Sequence, residues 1–443
     1  MFKKILAGLL VSIMAASLMA GCGEGGNTVN PGETVTLAIW HSRAEDMDET
    51  SDHQRYLRVV DKFMAENEGY EVQVTGSVKA EKIMTALASG SGPDIVQPQW
   101  PYAGKWGAEG IIADLTDFVD NDAEFDRDDF VPAAWDRCIY KDRIYAIPTK
   151  INSAELYYNK DILEEEGVKV PETIEELVDL AINLTEYDAN GNITRCGFIP
   201  DYPWLDNVLW PVAFGAKWID EDTNTITFDT EEMRAAYQWQ IDIYNAIGYD
   251  KLTTFKAGLG SGEQEGFVSG KVAMKYSGEN LFDDILLYNP DMNYGVTSVP
   301  YPAGKEELKG ATFATVASLM LNNDSKNSKE DGWKLLSYIT SKEALADFAK
   351  GVNNTGALMS RKSALDTLNN MEVVVAEKKE VTKMIQDPNV TGFPMSTYVN
   401  EYLAIIADEM GKVFADPANN TVEVAAANIQ AKAQVLADAS PSK

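Results

Sequence analysis

Between residues 35 and 96, apolar runs of strand length alternate with amphipathic helical stretches, and that alternation restricts the fold more than any other feature. Val35 to Trp40 reads Val-Thr-Leu-Ala-Ile-Trp, a buried strand. Tyr56 to Asn67 puts Leu57, Val60, Phe63 and Met64 on one helical face. Val72 to Thr75 is a second strand, and Ala80 to Ser89 a helix with Ile83, Leu87 and Ala88 inward. Gly90-Ser91-Gly92-Pro93 stops that helix, and Asp94-Ile95-Val96 is a third strand. The β-α-β-α-β order predicts an α/β fold with a mostly parallel sheet covered by helices. Ligands of such sheets sit beyond the carboxyl ends of the strands. That places Trp40-His41-Ser42-Arg43 and Gln97-Pro98-Gln99-Trp100-Pro101-Tyr102 at one rim.

A second unit begins near Ile147-Pro148, with Ala154 to Tyr158 as a strand. Thr173-Ile174-Glu175-Glu176 has the form of a capping box, opening a helix with Ile174, Leu177, Val178 and Ala181 on one face. Thr225–Phe228, Lys271–Tyr276 and Thr312–Leu321 read as strands. Met233–Ile247, Lys329–Thr340, Glu401–Phe414 and Val422–Ala439 read as helices. A chain of 443 residues, at about 150 residues per domain, holds two or three domains.

The first 22 residues look like an export leader. Lys3 and Lys4 precede a short apolar run, Ile5 to Leu18, too short to span a membrane comfortably. Leu18-Met19-Ala20-Gly21-Cys22 then resembles a bacterial lipobox, with Cys22 as the lipidated residue. The alternative is an ordinary signal peptide with an incidental cysteine. Residues 1–21 are thus expected to be removed, and 22–32 to form a flexible polar tether.

Lys and Arg number 38 against 69 Asp and Glu, a formal charge of -31. Loss of Lys3 and Lys4 makes it about -33. Counterion release on nucleic acid needs clustered cations, so this balance speaks against a nucleic-acid binder and against docking on anionic lipid. A hydrophobic content of 45% excludes disorder. Beyond Cys22 only Cys138 and Cys196 remain, as buried thiols or one bridge. With two histidines and no zinc-like spacing, no metal site is expected. No phosphate loop or dinucleotide fingerprint is present, so no cofactor is expected.

Several motifs occur in a fixed order: Ala86-Leu87-Ala88-Ser89-Gly90-Ser91-Gly92-Pro93-Asp94-Ile95-Val96, Gly110–Leu115, Arg143–Thr149, Leu156–Asp161, Phe267–Met274 and Tyr294-Gly295-Val296. Behind a lipobox, this series resembles the extracellular solute-binding proteins of bacterial ABC importers, in the carbohydrate-binding branch that includes the maltose binders. The resemblance implies a two-domain, periplasmic-binding-protein-like (type II) fold with a ligand cleft. The chain would cross between domains more than once, so that they close by hinge motion. The first domain would take residues 33–148 and 284–345, and the second 152–280 and 346–443. The implied function is capture of a mono- or oligosaccharide and its delivery to membrane permease subunits, without catalysis. The protein would be a monomer on the cell surface, anchored by lipid to the outer face of the cytoplasmic membrane, or on the periplasmic side in a two-membrane bacterium.

Carried over by position, the resemblance places ligand contacts at Ser42, Arg43 and Glu45 after the first strand. It adds Gln97, Gln99, Trp100 and Tyr102 after Gly-Pro-Asp-Ile-Val, and Asn152 just past the first crossing. Trp204, Asp206 and Trp210 precede the second domain's middle strands, and Glu279 and Asn280 follow Val-Ala-Met. Relatives often have an aromatic at the last position and the maltose binder a glutamate at the Asn152 position, so the ligand itself can differ. Sugar chemistry supports aromatics beside polar groups: indole covers the apolar face of a pyranose, and Asp, Asn, Gln, Glu or Arg pair with its hydroxyls. Trp40, His41 and Phe313 complete the candidates, with Phe393 and Tyr398 weaker. Each aromatic could equally be core, and His41 a structural hydrogen-bonder. Trp239 and Trp333 lie inside helices and are expected in the core. The acidic run Glu45-Asp46-Met47-Asp48-Glu49 with Asp52 has the oxygens to bind Ca²⁺, but its spacing fits no calcium loop and it reads as a solvated helix start. The competing readings are a binder of polyamine, peptide or metal chelate, and a secreted glycosidase with paired carboxylates.

Overall fold

A computed structural model describes residues 34–46, 51–98, 102–202, 206–350, 356–372 and 374–440. The expected leader, Cys22 and the tether lie outside the described residues, and both sheets belong to the unit that begins at Val35.

Strand β1 (Val35–His41) runs parallel to β2 (Tyr70–Thr75) on one side and to β3 (Ile95–Gln97) on the other. Leu37 and Ile39 point into one core with Tyr56, Val60 and Phe63, while Val96 packs on the opposite face with Ile83 and Leu87. Helix α1 (Asp52–Glu66) starts one turn earlier than its apolar spacing suggests. The Ser51 side chain caps it by accepting from the Gln54 N–H. Helix α2 (Ala80–Ala88) follows its expected range. Asp94 of the Gly-Pro-Asp-Ile-Val motif has a structural task. Its carboxylate accepts from the Ala38 N–H at 2.7 Å, the Asn327 amide at 2.9 Å and the Ser325 hydroxyl, tying β1 to a loop more than 200 residues away.

The first sheet is parallel from β2 through β1 to β3, as expected, and two antiparallel pairings extend it. The long strand Thr312–Leu321 runs antiparallel to β3, and Ile147–Ser153 pairs antiparallel with it. The second sheet orders Tyr294–Thr297, Glu155–Asn159, Val272–Ser277, Ile193–Phe198 and Glu186–Tyr187. Each sheet has its own core, the second closed over by the helices Val399–Ala415 and Val422–Ala439, and a further apolar cluster with Ile151, Ala314, Tyr157, Phe282 and Val381 bridges the two sheets.

Among the described residues, three connections join the two lobes. Ala154 alone separates the first-sheet strand Ile147–Ser153 from the second-sheet strand Glu155–Asn159. The chain returns between Thr297 and Thr312, and leaves again after Val390–Thr391, which pairs with Thr312–Phe313. Two of the expected domain limits therefore move. Tyr294–Thr297 pairs with Glu155–Asn159 in the second sheet, so residues 284–297 do not go with the first. Leu345, Phe348, Met359 and Ala364 pack in the first core, so the segment from 346 does not go straight to the second. Cys138 and Cys196 are both free and buried, in the cores of different lobes, which removes the bridge as an alternative. Among the described residues no helix is long and apolar enough to cross a membrane.

Candidate functional site

The carboxyl ends of β1 and β3 meet side by side, with His41 opposite Gln97 and the Ser42 N–H donating to the Gln97 carbonyl at 3.1 Å. Gln97 is buried; its amide nitrogen donates to the Tyr56 hydroxyl at 2.7 Å and to Thr149 at 3.3 Å. His41 is fully buried, stacked on Tyr56 with ring centroids 5.2 Å apart, and its Nε2 lies 3.0 Å from His53 Nδ1. Burial, and then His53, lower the His41 pKa to about 4, so the ring is neutral at pH 7 and serves the packing of this corner. Glu45 is exposed, and its carboxylate accepts from the Gly76 N–H at 2.7 Å. A Cβ on residue 76 would come within 2.7 Å of Glu45 and 2.8 Å of His41, which explains the glycine there.

Charges from both lobes converge beside this edge. Alternation along Ile147–Ser153 puts Lys150 and Asn152 on the same face. The Lys150 ammonium lies 3.2 Å from Asp52 of α1 and 3.2 Å from Glu279, which follows the second-sheet strand Val272–Ser277. Asp52 also pairs with Arg43 at 3.3 Å and Arg55 at 3.7 Å. Burial opposes the charge on Asp52, but Lys150, Arg43 and Arg55 outweigh it and hold the carboxyl below its usual value. Glu279 is likewise held low against burial by Lys150 and Lys378. Lys150 is raised, because Glu279 and Asp52 outweigh its own burial. All three are therefore charged at neutral pH. Beneath them Glu155 is 1% exposed, and burial raises its pKa to about 8.

The structure brings together His41, Ser42, Arg43, Glu45, Gln97, Asn152 and Glu279 from the expected set, although Glu45, Gln97 and Glu279 spend polar groups on protein partners. Tyr102 stacks on Trp106 at 4.5 Å, and Trp40 is half-buried on the same cluster with the Lys82 ammonium 5.4 Å from its ring centre. Asn280 is exposed at the start of the helix Asn280–Tyr288. Gln99, Trp100, Trp204 and the Asp206 side chain lie outside the described residues.

Two expectations fail. Trp210 is fully buried in the second core, its indole N–H donating to the Pro200 carbonyl at 3.2 Å. Phe313 is 1% exposed and packs edge-on against Trp218 in that same core. The weaker candidates Phe393 and Tyr398 are buried there too. The residues the sequence reading passed over are Asp52, Arg55 and Tyr56. Asp52 sits at the helix start expected to be solvated, yet its side chain is only 15% exposed. Among the described residues no three His, Cys, Asp or Glu side chains are placed to hold a metal.

The profile of bacterial extracellular solute-binding proteins matches residues 49–346. The chain belongs to that family. A binding protein of Brucella abortus is 25% identical over 365 residues, covering 79% of this chain and 80% of its own. The multiple sugar-binding protein of Streptococcus mutans is 26% identical over 185 residues, 40% of each chain. Among solved structures, CpMnBP1 with mannobiose bound superimposes with a TM-score of 0.74 at 23% identity, covering 90% of this chain and all of that one. The likeness shows the two-domain α/β fold of type II solute-binding proteins.

Proposed function

We propose that this solute-binding protein is the lipid-anchored receptor of an ABC importer, taking a mono- or oligosaccharide between its lobes and passing it to the permease. The observation that carries this reading is the facing edge itself. The first lobe presents the half-buried Ser42 and Arg43 there and the second lobe the exposed Asn280 next to Glu279, with the half-buried aromatics Trp40 and Tyr102 beside them. That is the mixture a pyranose requires. The relatives named for sugars, or solved with one, support the same class.

Closure would follow from hydrogen bonds made only when both lobes touch the ligand, shifting the population from open to closed. The lobes are taken as residues 35–153 with 312–391, and 155–297 with 392–440. Arg43, Arg55 and Lys150 already pair with Asp52 and Glu279 at this edge, which leaves neither carboxylate open to a polyamine ligand. Glycoside hydrolysis needs one carboxylic acid able to give up its proton to the leaving group. Asp52 and Glu279 are held ionised by their cations, and the neutral Glu155 is buried beneath them, so none suits that role.

Trp100 and Trp204 are the proposed stacking platforms. Trp100→Ala and Trp204→Ala should each weaken binding of a neutral sugar by about tenfold or more, with the melting temperature unchanged. Titration calorimetry checks this, and full affinity in both variants removes them from the site. Cys22 is the proposed anchor. Several acyl chains on one residue hold a protein stably on a membrane. Cys22→Ser should move the protein from the membrane fraction to the soluble one, and a protein that stays with the membrane contradicts the anchor.

A further inference from the structure

Glu279 belongs to the second lobe, yet three groups from elsewhere hold it. Its N–H donates to the Asn152 side-chain oxygen at 2.9 Å. Its Oε1 lies 3.2 Å from the Lys150 ammonium. Its Oε2 accepts from the Leu358 N–H at 3.1 Å. Leu358 is fastened to the first lobe: its carbonyl accepts from the Ile151 N–H at 3.1 Å, and Met359 bridges to Lys150. All three holds therefore come from the first-sheet strand Ile147–Ser153 or from a segment paired to it.

Lys150 then passes the tie inward, donating to Asp52 at the start of α1. A continuous chain of ions runs from a helix packed on the first sheet to the end of a second-sheet strand. The strand bearing Lys150 and Asn152 leads through Ala154 into the second lobe. Rotation of one lobe about that point moves Glu279 relative to Lys150. Lys378, Asp283 and Glu155 also face Glu279 or lie near it. Among the described residues two other pairs join the lobes, Lys105 of α3 (Ala103–Ala108) with Glu401 of the helix Val399–Ala415 at 2.7 Å and Lys160 with Glu377 at 3.2 Å, but each has one exposed partner, Glu401 at 46% and Lys160 at 40%, and is weakened by solvent and salt. Lys150 and Glu279, at 19% and 9% exposure, are screened far less.

We propose that Lys150 is a positioning residue that sets the angle between the lobes by holding Glu279 against the first lobe. Glu279 is then an interlobe anchor rather than a ligand contact. The consequence for sugar affinity rests on the capture reading above; the angle does not, and it is measured without ligand.

Spin labels at Asp117→Cys and Glu232→Cys, exposed positions on the first and second lobes, report the interlobe distance by double electron–electron resonance. The full chain carries Cys22→Ser to keep the labelling clean. Lys150→Met should shift and broaden the distance distribution, and Lys150→Arg, which keeps the charge, should restore it. Glu279→Gln keeps the side-chain volume and the backbone bond to Asn152 while removing the ion pair. It should shift the distribution in the same direction, and it decides the matter if Lys150→Met does not fold. A purely local role for Lys150 predicts wild-type distances in a folded variant, and that result, in Lys150→Met or in Glu279→Gln, overturns the proposal.

Discussion

Trp210→Ala should destabilise the second lobe by about 3–5 kcal/mol, the range for emptying a buried aromatic position. The side chain is fully buried. It meets Trp239 edge-on at 4.5 Å and Tyr276 edge-on at 5.0 Å, with Phe198 behind them at 6.1 Å. Alanine forfeits these contacts and leaves the Pro200 carbonyl without its indole donor. A ligand platform would behave the opposite way, with stability kept and affinity lost. Urea unfolding distinguishes the two: a midpoint equal to that of the parent protein would contradict the core assignment.

Glu155→Gln should stabilise the protein, and more so as pH rises. The Glu155 carboxyl accepts from the Ser153 hydroxyl through one oxygen, and its other oxygen is buried without a partner. Burial first, with Glu279 nearby, raises its pKa from 4.5 to about 8 despite the Ser153 bond. Between those two values the unfolded chain has released this proton and the folded chain still holds it. Stability from this group is therefore lost as pH rises from 4.5, and levels off above about 8. The full difference is on the order of 5 kcal/mol. Glutamine is neutral in both states and removes the loss. Unfolding midpoints of parent and variant should nearly coincide near pH 4.5 and diverge by pH 8. A constant gap across that interval would contradict a protonated Glu155.

Local pattern carried much of the fold. The apolar spacing of β1, α2, and the helix Val422–Ala439 marks their extents closely, because each buries one regular face. The Thr173–Glu176 capping box forms as its spacing implies. Pairing partners were not legible in the same way. Tyr294-Gly295-Val296 joins the second sheet because Glu155–Asn159 offers a free edge there, and nothing in the tripeptide encodes that choice. The helix Asp206–Ala213 was hidden by Pro211 inside it, so Trp210 read as a loop residue at a rim. Asp52 looked solvated because its acidic neighbours are adjacent in sequence. One of the cations that neutralise it, Lys150, lies almost a hundred residues away. The edge of β1 and β3 was recoverable from topology alone, whereas the ion chain that joins it to the second lobe required the tertiary structure.

The central claim is that the cleft takes a neutral sugar, and ligand-dependent melting tests it most directly. A ligand that binds only the folded state stabilises it by mass action, by about 2.7 kcal/mol at a concentration one hundred times the dissociation constant. The purified protein is heated with each member of a panel of neutral mono- and oligosaccharides, with spermidine and a short peptide as controls. At least one sugar should raise the melting temperature in a concentration-dependent way. A rise with spermidine or the peptide, and none with any sugar, would contradict the account.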